Sequence, residues 1–252
     1  MKKALKYRIY PTKRQAKILG GWLEECRWLY NYLLEQRRRT WKEEHRSVSF
    51  VEQSRVITRL KDERPSLRGV YAQVLVNVAK RLDLAFQHFF RRVRQGEKPG
   101  FPRFKGKNRF HSITYPQHGF AIKGDRLWLS KVGFVKIKLH RPIAGRVKNC
   151  TIVRKPSGKW YACFVVECEP RRLPESKEAV GIDVGIESFA VLSTGESISN
   201  PCFFRKEERA LAKAQRKLSK LAEEKGRQSP EYRKAKKVVA RIHERIRFKR
   251  QN

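Results

Sequence analysis

Glu178-Ala179-Val180-Gly181-Ile182-Asp183-Val184-Gly185-Ile186-Glu187, followed by Phe189-Ala190-Val191-Leu192, is the stretch whose reading decides the fold. An apolar run carries one carboxylate, Asp183, to the end of a strand. Gly185 then lets the backbone fold back where a side chain would crowd it. The second apolar run returns as the partner strand, and Thr194-Gly195 reads as the turn of this hairpin.

Three meanings are open for Asp-x-Gly in that setting. It can simply end a strand. It can ligate Mg²⁺, a hard cation that takes carboxylate oxygens, as at the opening of RNase H-type nuclease sites. It can engage a nucleotide phosphate, as at the opening of the actin-like ATPases. Composition bears on the choice. The 252 residues can bury one or two cores, and 40% of them are hydrophobic, so the chain is no disordered basic tail. Sixty Lys and Arg against 24 Asp and Glu give a formal charge of +36. Such self-repulsion calls for a polyanion, with nucleic acid first, and favours the nuclease reading.

An anionic membrane surface is the other polyanion to weigh. No apolar run reaches the length of a membrane span, and Met1-Lys2-Lys3-Ala4-Leu5-Lys6-Tyr7-Arg8 has no signal-peptide core. The expectation is a cytoplasmic, nucleoid-associated protein without a membrane partner or a small-molecule substrate. Cys26, Cys150, Cys163, Cys168 and Cys202 never form a Cys-x-x-Cys pair and read as reduced core thiols.

Outward from Asp183 the pattern is α+β. Leu5 to Tyr10 alternate as a strand stopped by Pro11, and Thr12 caps a helix whose stripe runs Leu19, Trp22, Leu23, Cys26, Leu29, Tyr30 and Leu33. Ser49 with Val51 to Leu60, and Tyr71 to Phe90, give two more helices. The spacing predicts strands at 112–115, 126–129 and 134–139, then a hairpin with arms 147–154 and 160–169. Their period-two alternation describes an antiparallel barrel or sheet with one wet face. Glu169 to Ser176 reads as a linker. Leu211, Ala214, Leu218 and Leu221, then Tyr232, Ala235, Val239, Ile242 and Ile246, line a closing helical hairpin.

Asp183 has no evident partner in a two-cation site. Glu187 lies on the returning turn, and Glu207, Glu208, Glu223, Glu224, Glu231 and Glu244 sit among Lys and Arg at helical spacing, as solvated partners do. The loop from Lys98 to Arg109 is the second candidate. Lys98, Arg103, Lys105 and Lys107 suit phosphates, while Phe101, Phe104 and Phe110 can stack on unpaired bases or anchor the loop. Arg37, Arg38, Arg91 and Arg92 at helix ends suit a sugar-phosphate backbone. Trp22, Trp28, Trp41 and the Phe86, Phe89, Phe90 group read as core.

Several ordered motifs together resemble one family. Tyr7-Arg8-Ile9-Tyr10-Pro11-Thr12, Cys26-Arg27-Trp28-Leu29-Tyr30-Asn31, Phe89-Phe90-Arg91-Arg92, Pro99-Gly100-Phe101-Pro102-Arg103-Phe104-Lys105 and Gly181-Ile182-Asp183-Val184-Gly185 look like the TnpB (OrfB) proteins of bacterial insertion sequences. The resemblance covers essentially the whole chain and resolves Asp183 towards the nuclease. It implies an RNA-guided DNA endonuclease related to type V CRISPR effectors, with a guide RNA and a double-stranded DNA target as partners. It also implies a first wedge strand at 1–11, a helical recognition lobe at 12–110 and a wedge barrel at 111–170. The start of an incomplete RuvC-like domain would occupy 177–252. Asp183 would be the first catalytic acid and a Mg²⁺ ligand. The family's Glu, second Asp and Cys-x-x-Cys zinc ribbon would lie beyond Asn252, so the expected chain binds nucleic acid and is catalytically incomplete alone. The alternatives are a non-catalytic remnant or repressor, a generic basic ribonucleoprotein component, and a split enzyme completed in trans.

Overall fold

The computed structural model describes residues 1–170 and 179–251. The chain divides into two compact units, 1–155 with 159–169, and 156–158 with 170–252.

The first unit is built on strand β1 (Lys2–Tyr10), whose inward residues Tyr7 and Ile9 are fully buried. Pro11 ends the strand and Thr12 starts helix α1 (Lys13–Glu44) with a capping box. The Thr12 hydroxyl accepts from the Gln15 backbone N–H at 3.2 Å, and the Gln15 side-chain Oε1 accepts from the Thr12 N–H at 3.0 Å. Helix α2 (Phe50–Glu63) opens with the same device at Ser49 and Glu52. A 3₁₀ turn at Pro65–Gly69 leads into α3 (Ala72–Arg94). The stripe Leu19, Leu23, Cys26, Leu29 and Leu33 of α1 shares one core with Ile57 and Leu60 of α2 and with Leu75, Val78 and Leu82 of α3. Each such side chain stabilises the unit by about 1.5–3 kcal/mol through the apolar area it withdraws from water.

Six more strands complete an antiparallel sheet: β2 (Ser112–Tyr115), β3 (Phe120–Lys123), β4 (Arg126–Leu129), β5 (Gly133–Lys138), β6 (Arg146–Arg154) and β7 (Trp160–Glu167), in the order β2-β6-β7-β1-β5-β4-β3. The sheet curls, and its edges approach each other. The Tyr115 hydroxyl of edge strand β2 donates to the Ser130 carbonyl just past β4, and Phe120 of the other edge lies 6.3 Å from Phe164 of β7. Tyr115 also joins sheet to helices, stacked on Tyr71 at 5.6 Å and tilted against Trp22 at 6.4 Å. Gly119 passes so close that a Cβ there would sit 2.5 Å from the Tyr71 ring, and its φ of +87° suits only glycine. Strand β3 escapes the alternation pattern because Phe120-Ala121-Ile122 is a short unbroken apolar run.

The second unit holds a three-stranded sheet, β8 (Ile182–Asp183), β9 (Ser188–Leu192) and β10 (Ser197–Ser199), in the order β10-β9-β8. Helices α4 (Arg205–Glu224) and α5 (Pro230–Gln251) form the expected hairpin, closed by Leu211, Ala214, Val239, Ile242 and Ile246. Glu207 ties the two helices through Arg245 at 2.9 Å and Lys249 at 3.2 Å. Ser229 caps α5 ahead of Pro230, whose missing N–H costs nothing in a first turn.

The expected linker at Glu169 to Ser176 falls mostly outside the described residues. No helix among the described residues is long and apolar enough to cross a membrane. All five cysteines are free. Burial pushes the Cys26 thiol up to about 12, so it stays protonated and inert. Cys202, expected in the core, is exposed.

Candidate nucleic-acid interface

Asp183 lies on a strand of only two residues, paired with Val191 of β9. The apolar run before it does not form the longer buried strand that its composition suggests, because among the described residues nothing packs over it: Ile182 is 65% and Ile186 91% exposed. Gly185 holds the tight return, where a Cβ would sit 3.2 Å from the Ser188 carbonyl. Thr194-Gly195 turns β9 into β10 and does not close the Asp183 hairpin, correcting the reading from sequence. Among the described residues no three His, Cys, Asp or Glu side chains gather as a metal site. Asp183 is therefore a lone donor here, and these residues do not by themselves fit a two-cation centre.

The loop after α3 is clamped to α1. Asn31 accepts from the Lys105 N–H at 2.8 Å and donates to its carbonyl at 3.0 Å, and Arg27 donates to the same carbonyl at 3.2 Å. Clamping the backbone leaves Lys98, Arg103, Phe104 and Lys107 exposed. The Arg38 guanidinium lies over Phe104 at 5.3 Å, and the Lys105 ammonium lies over Tyr30 at 5.3 Å. Arg91 and Arg92 are exposed on the last turn of α3, with Arg92 near Glu97 at 3.8 Å. Of the two roles open to Phe110, stacking on bases or anchoring the loop, it takes the second, buried against Tyr30.

Arg37 also departs from its sequence reading. It donates to Asp83 and to Gln53, both at 2.9 Å, and its guanidinium covers Phe86 at 4.9 Å. With its side chain only 10% exposed, it is committed to joining α1, α2 and α3 and is not a free cation at a helix end. Trp41, expected in the core, is 58% exposed, and Phe90 is 52% exposed.

One basic surface was not singled out from sequence. On the outer face of the sheet, Arg8 stands opposite Lys138, Arg126 opposite Lys136, and Lys123 opposite Arg126. Between them Trp128 stands opposite Phe134, both exposed, and Tyr10 opposite Lys136. No acid occurs in β1, β3, β4 or β5. Like charges placed directly across strands destabilise a sheet, so the fold bears a cost here that a bound polyanion would relieve. The available signal was that the wet positions of these strands are almost all Lys, Arg or aromatic.

A second basic cluster holds His111. Burial first, then Arg154, Lys155 and Arg109, depress its pKa below the ordinary 6.5. Phosphates docked beside these cations would offset them and raise it, so binding would take up a proton and tighten as pH falls towards the depressed His111 pKa. A histidine NMR titration with and without oligonucleotide checks this; an unmoved His111 curve places the cluster outside the interface.

Comparison with known proteins follows from this geometry. A family described as "Probable transposase" matches residues 163–252, and one described as "Helix-turn-helix domain" matches residues 1–46. Within 1–46 the structure has β1 and one unbroken helix, with Gly20-Gly21 inside it, so no turn divides two helices there. A Streptomyces pristinaespiralis protein named "Putative RNA-guided DNA endonuclease" is 36% identical over 252 residues, 98% of this chain and 60% of that protein. The Escherichia coli protein "Putative RNA-guided DNA endonuclease InsQ" is 28% identical over 245 residues, 95% of this chain and 58% of that protein. The chain thus spans about 60% of the length of the curated relatives it matches. A cryo-EM structure of a Cas12f1–sgRNA–target DNA complex aligns over 100% of this chain and 66% of that one, at TM-score 0.40 and 13% identity. The two family matches and the two named relatives place this α/β chain among the transposase-type proteins. It belongs to the TnpB (OrfB) family.

Proposed function

We propose that this chain is the nucleic-acid-binding portion of an RNA-guided DNA endonuclease, holding a guide RNA and a double-stranded DNA target. The observation that carries the reading is the outer face of the sheet, where three like-charged pairs and three exposed aromatics stand together without an acid. In this reading residues 1–11 and 111–170 act as the wedge and 12–110 as the recognition lobe. Residues 177–252 open a RuvC-like domain. Guide pairing supplies sequence specificity, while the protein reads backbone shape and a flanking motif. The exposed Arg38, Arg91, Arg92, Lys98, Arg103 and Lys107, with the half-buried Lys105, extend the phosphate-binding surface, and Phe101 and Phe104 offer stacking faces.

Asp183 is proposed as one ligand of Mg²⁺. When bound, the metal would activate water and stabilise the leaving oxygen. With one donor in hand, no step is derived through it. Asp183 itself sits on a hairpin remote in sequence from the basic strands, so its role is separable from binding.

A salt titration of the 252-residue chain with structured RNA and with duplex DNA tests the reading. The five outward cations Arg8, Lys123, Arg126, Lys136 and Lys138 predict a log K against log [salt] slope of about −4 to −5 on duplex. Asp183→Ala should leave both affinity and slope unchanged. A slope near zero, or an affinity lost with Asp183, contradicts the proposal.

A further inference from the structure

A cleft of about 880 Å³ opens in the first unit between the end of α1, the end of α3 and the loop at Phe101. It is large for a ligand pocket, since such sites occupy roughly 300–1,000 Å³. Its walls are aromatic. Phe101 meets Phe86 edge-on at 5.5 Å and 89°, and meets Phe89 at 5.3 Å and 79°. Phe89 in turn meets Phe90 at 5.2 Å. This edge-to-face chain is internally satisfied, yet it leaves Phe90 and Phe101 about half exposed, and Trp41, which also lines the cleft, is more exposed still.

The rim is charged. Arg38, Arg39, Lys42 and Arg46 reach it, against Glu35 and Glu43. Arg46 is engaged by Glu44 and Glu52, and Arg38 covers Phe104, whereas Arg39 and Lys42 make no ion pair among the described residues. An exposed tryptophan and phenylalanines inside a concavity, with free cations at its lip, match a planar ligand carrying negative charge at its edge. An apolar protein segment would leave those cations unmatched.

We infer that this cleft is a single-strand site that stacks unpaired nucleobases on Trp41, Phe90 and Phe101 while Arg39 and Lys42 hold the adjoining phosphates. The inference rests on the proposed nucleic-acid binding and adds to it a second, base-dependent site distinct from the sheet face. Stacking is tolerant of sequence, because every base offers a π face. The strand could be an unpaired stretch of guide RNA or a displaced DNA strand, and the two share this chemistry.

The test uses the whole chain with an oligoadenylate of about 12 nucleotides, as RNA and as DNA, beside an abasic strand of equal length. Trp41→Ala with Phe90→Ala should weaken binding to the base-bearing strand about 10- to 100-fold. It should leave the abasic strand and the salt slope unchanged. Both side chains are exposed, so circular dichroism should report an unaltered fold. A larger loss with the RNA strand assigns the cleft to the guide, and a larger loss with DNA assigns it to the displaced strand. Equal affinity of variant and wild type for the base-bearing strand overturns the inference. If the variant instead changes only self-association, the cleft is a protein-docking surface and the inference is equally overturned. Binding of no strand by the wild-type chain defeats the broader proposal as well, which separates the two failures.

Discussion

On the proposed function, Lys136→Glu combined with Lys138→Glu should weaken binding to duplex DNA and structured RNA about 100- to 1,000-fold near physiological salt, because four units of charge change on the basic face of the sheet. The same variant should fold more stably. Lys136 stands opposite Arg126 and Lys138 opposite Arg8, so each replacement turns a repulsive cross-strand pair into an attractive one. A gain of about 0.2–1 kcal/mol per pair is expected. Thermal melts and a binding isotherm on one preparation check both effects. Opposite signs for stability and binding are what a surface shaped by its ligand should give. Loss of stability would mean that these lysines serve the fold in a way the register does not show.

Arg37→Ala should do the reverse, destabilising the first unit by about 3–5 kcal/mol while leaving the salt slope of nucleic-acid binding unaltered. The figure is that for breaking a largely buried ion pair by removing one partner. Asp83 loses its counter-charge at 2.9 Å, fully buried Gln53 loses a donor, and Phe86 loses the cation over its ring. Urea melts of Arg37→Ala beside Arg38→Ala make the comparison. Arg38 is exposed over Phe104, so its loss should scarcely move the midpoint and should lower the slope. A stable Arg37→Ala that binds weakly would return Arg37 to the phosphate-binding set.

These two residues show why part of the molecule was legible in sequence. Thr12 with Gln15 and Ser49 with Glu52 form boxes within four residues, so the helix starts could be read locally. The stripes of α1 and α3 and the inward residues of β4 to β7 follow fixed periods and were equally plain. Arg37 and Arg38 are neighbours in one basic run, and nothing local separates them. Their difference lies in Asp83, 46 residues on, which only packing brings to one of them. The sheet face was hidden for the same reason. Arg8, Arg126, Lys136 and Lys138 are scattered over the chain, and only strand order makes them neighbours. Trp41 and Phe90 fit their helical stripes and so read as core, yet they lie at the ends of α1 and α3, where the partner helix no longer covers them. At Asp183 the motif was readable, but the burial its apolar neighbours promise is not met among the described residues.

Ultraviolet crosslinking of the chain purified from cells carrying its own gene, with sequencing of the bound RNA and mass mapping of the attached peptides, tests the central claim most directly. The account predicts one discrete RNA species joined to the β4–β5 segment around Trp128 and Phe134. No RNA above background, or a broad mixture of cellular RNA attached away from the sheet face, would contradict it.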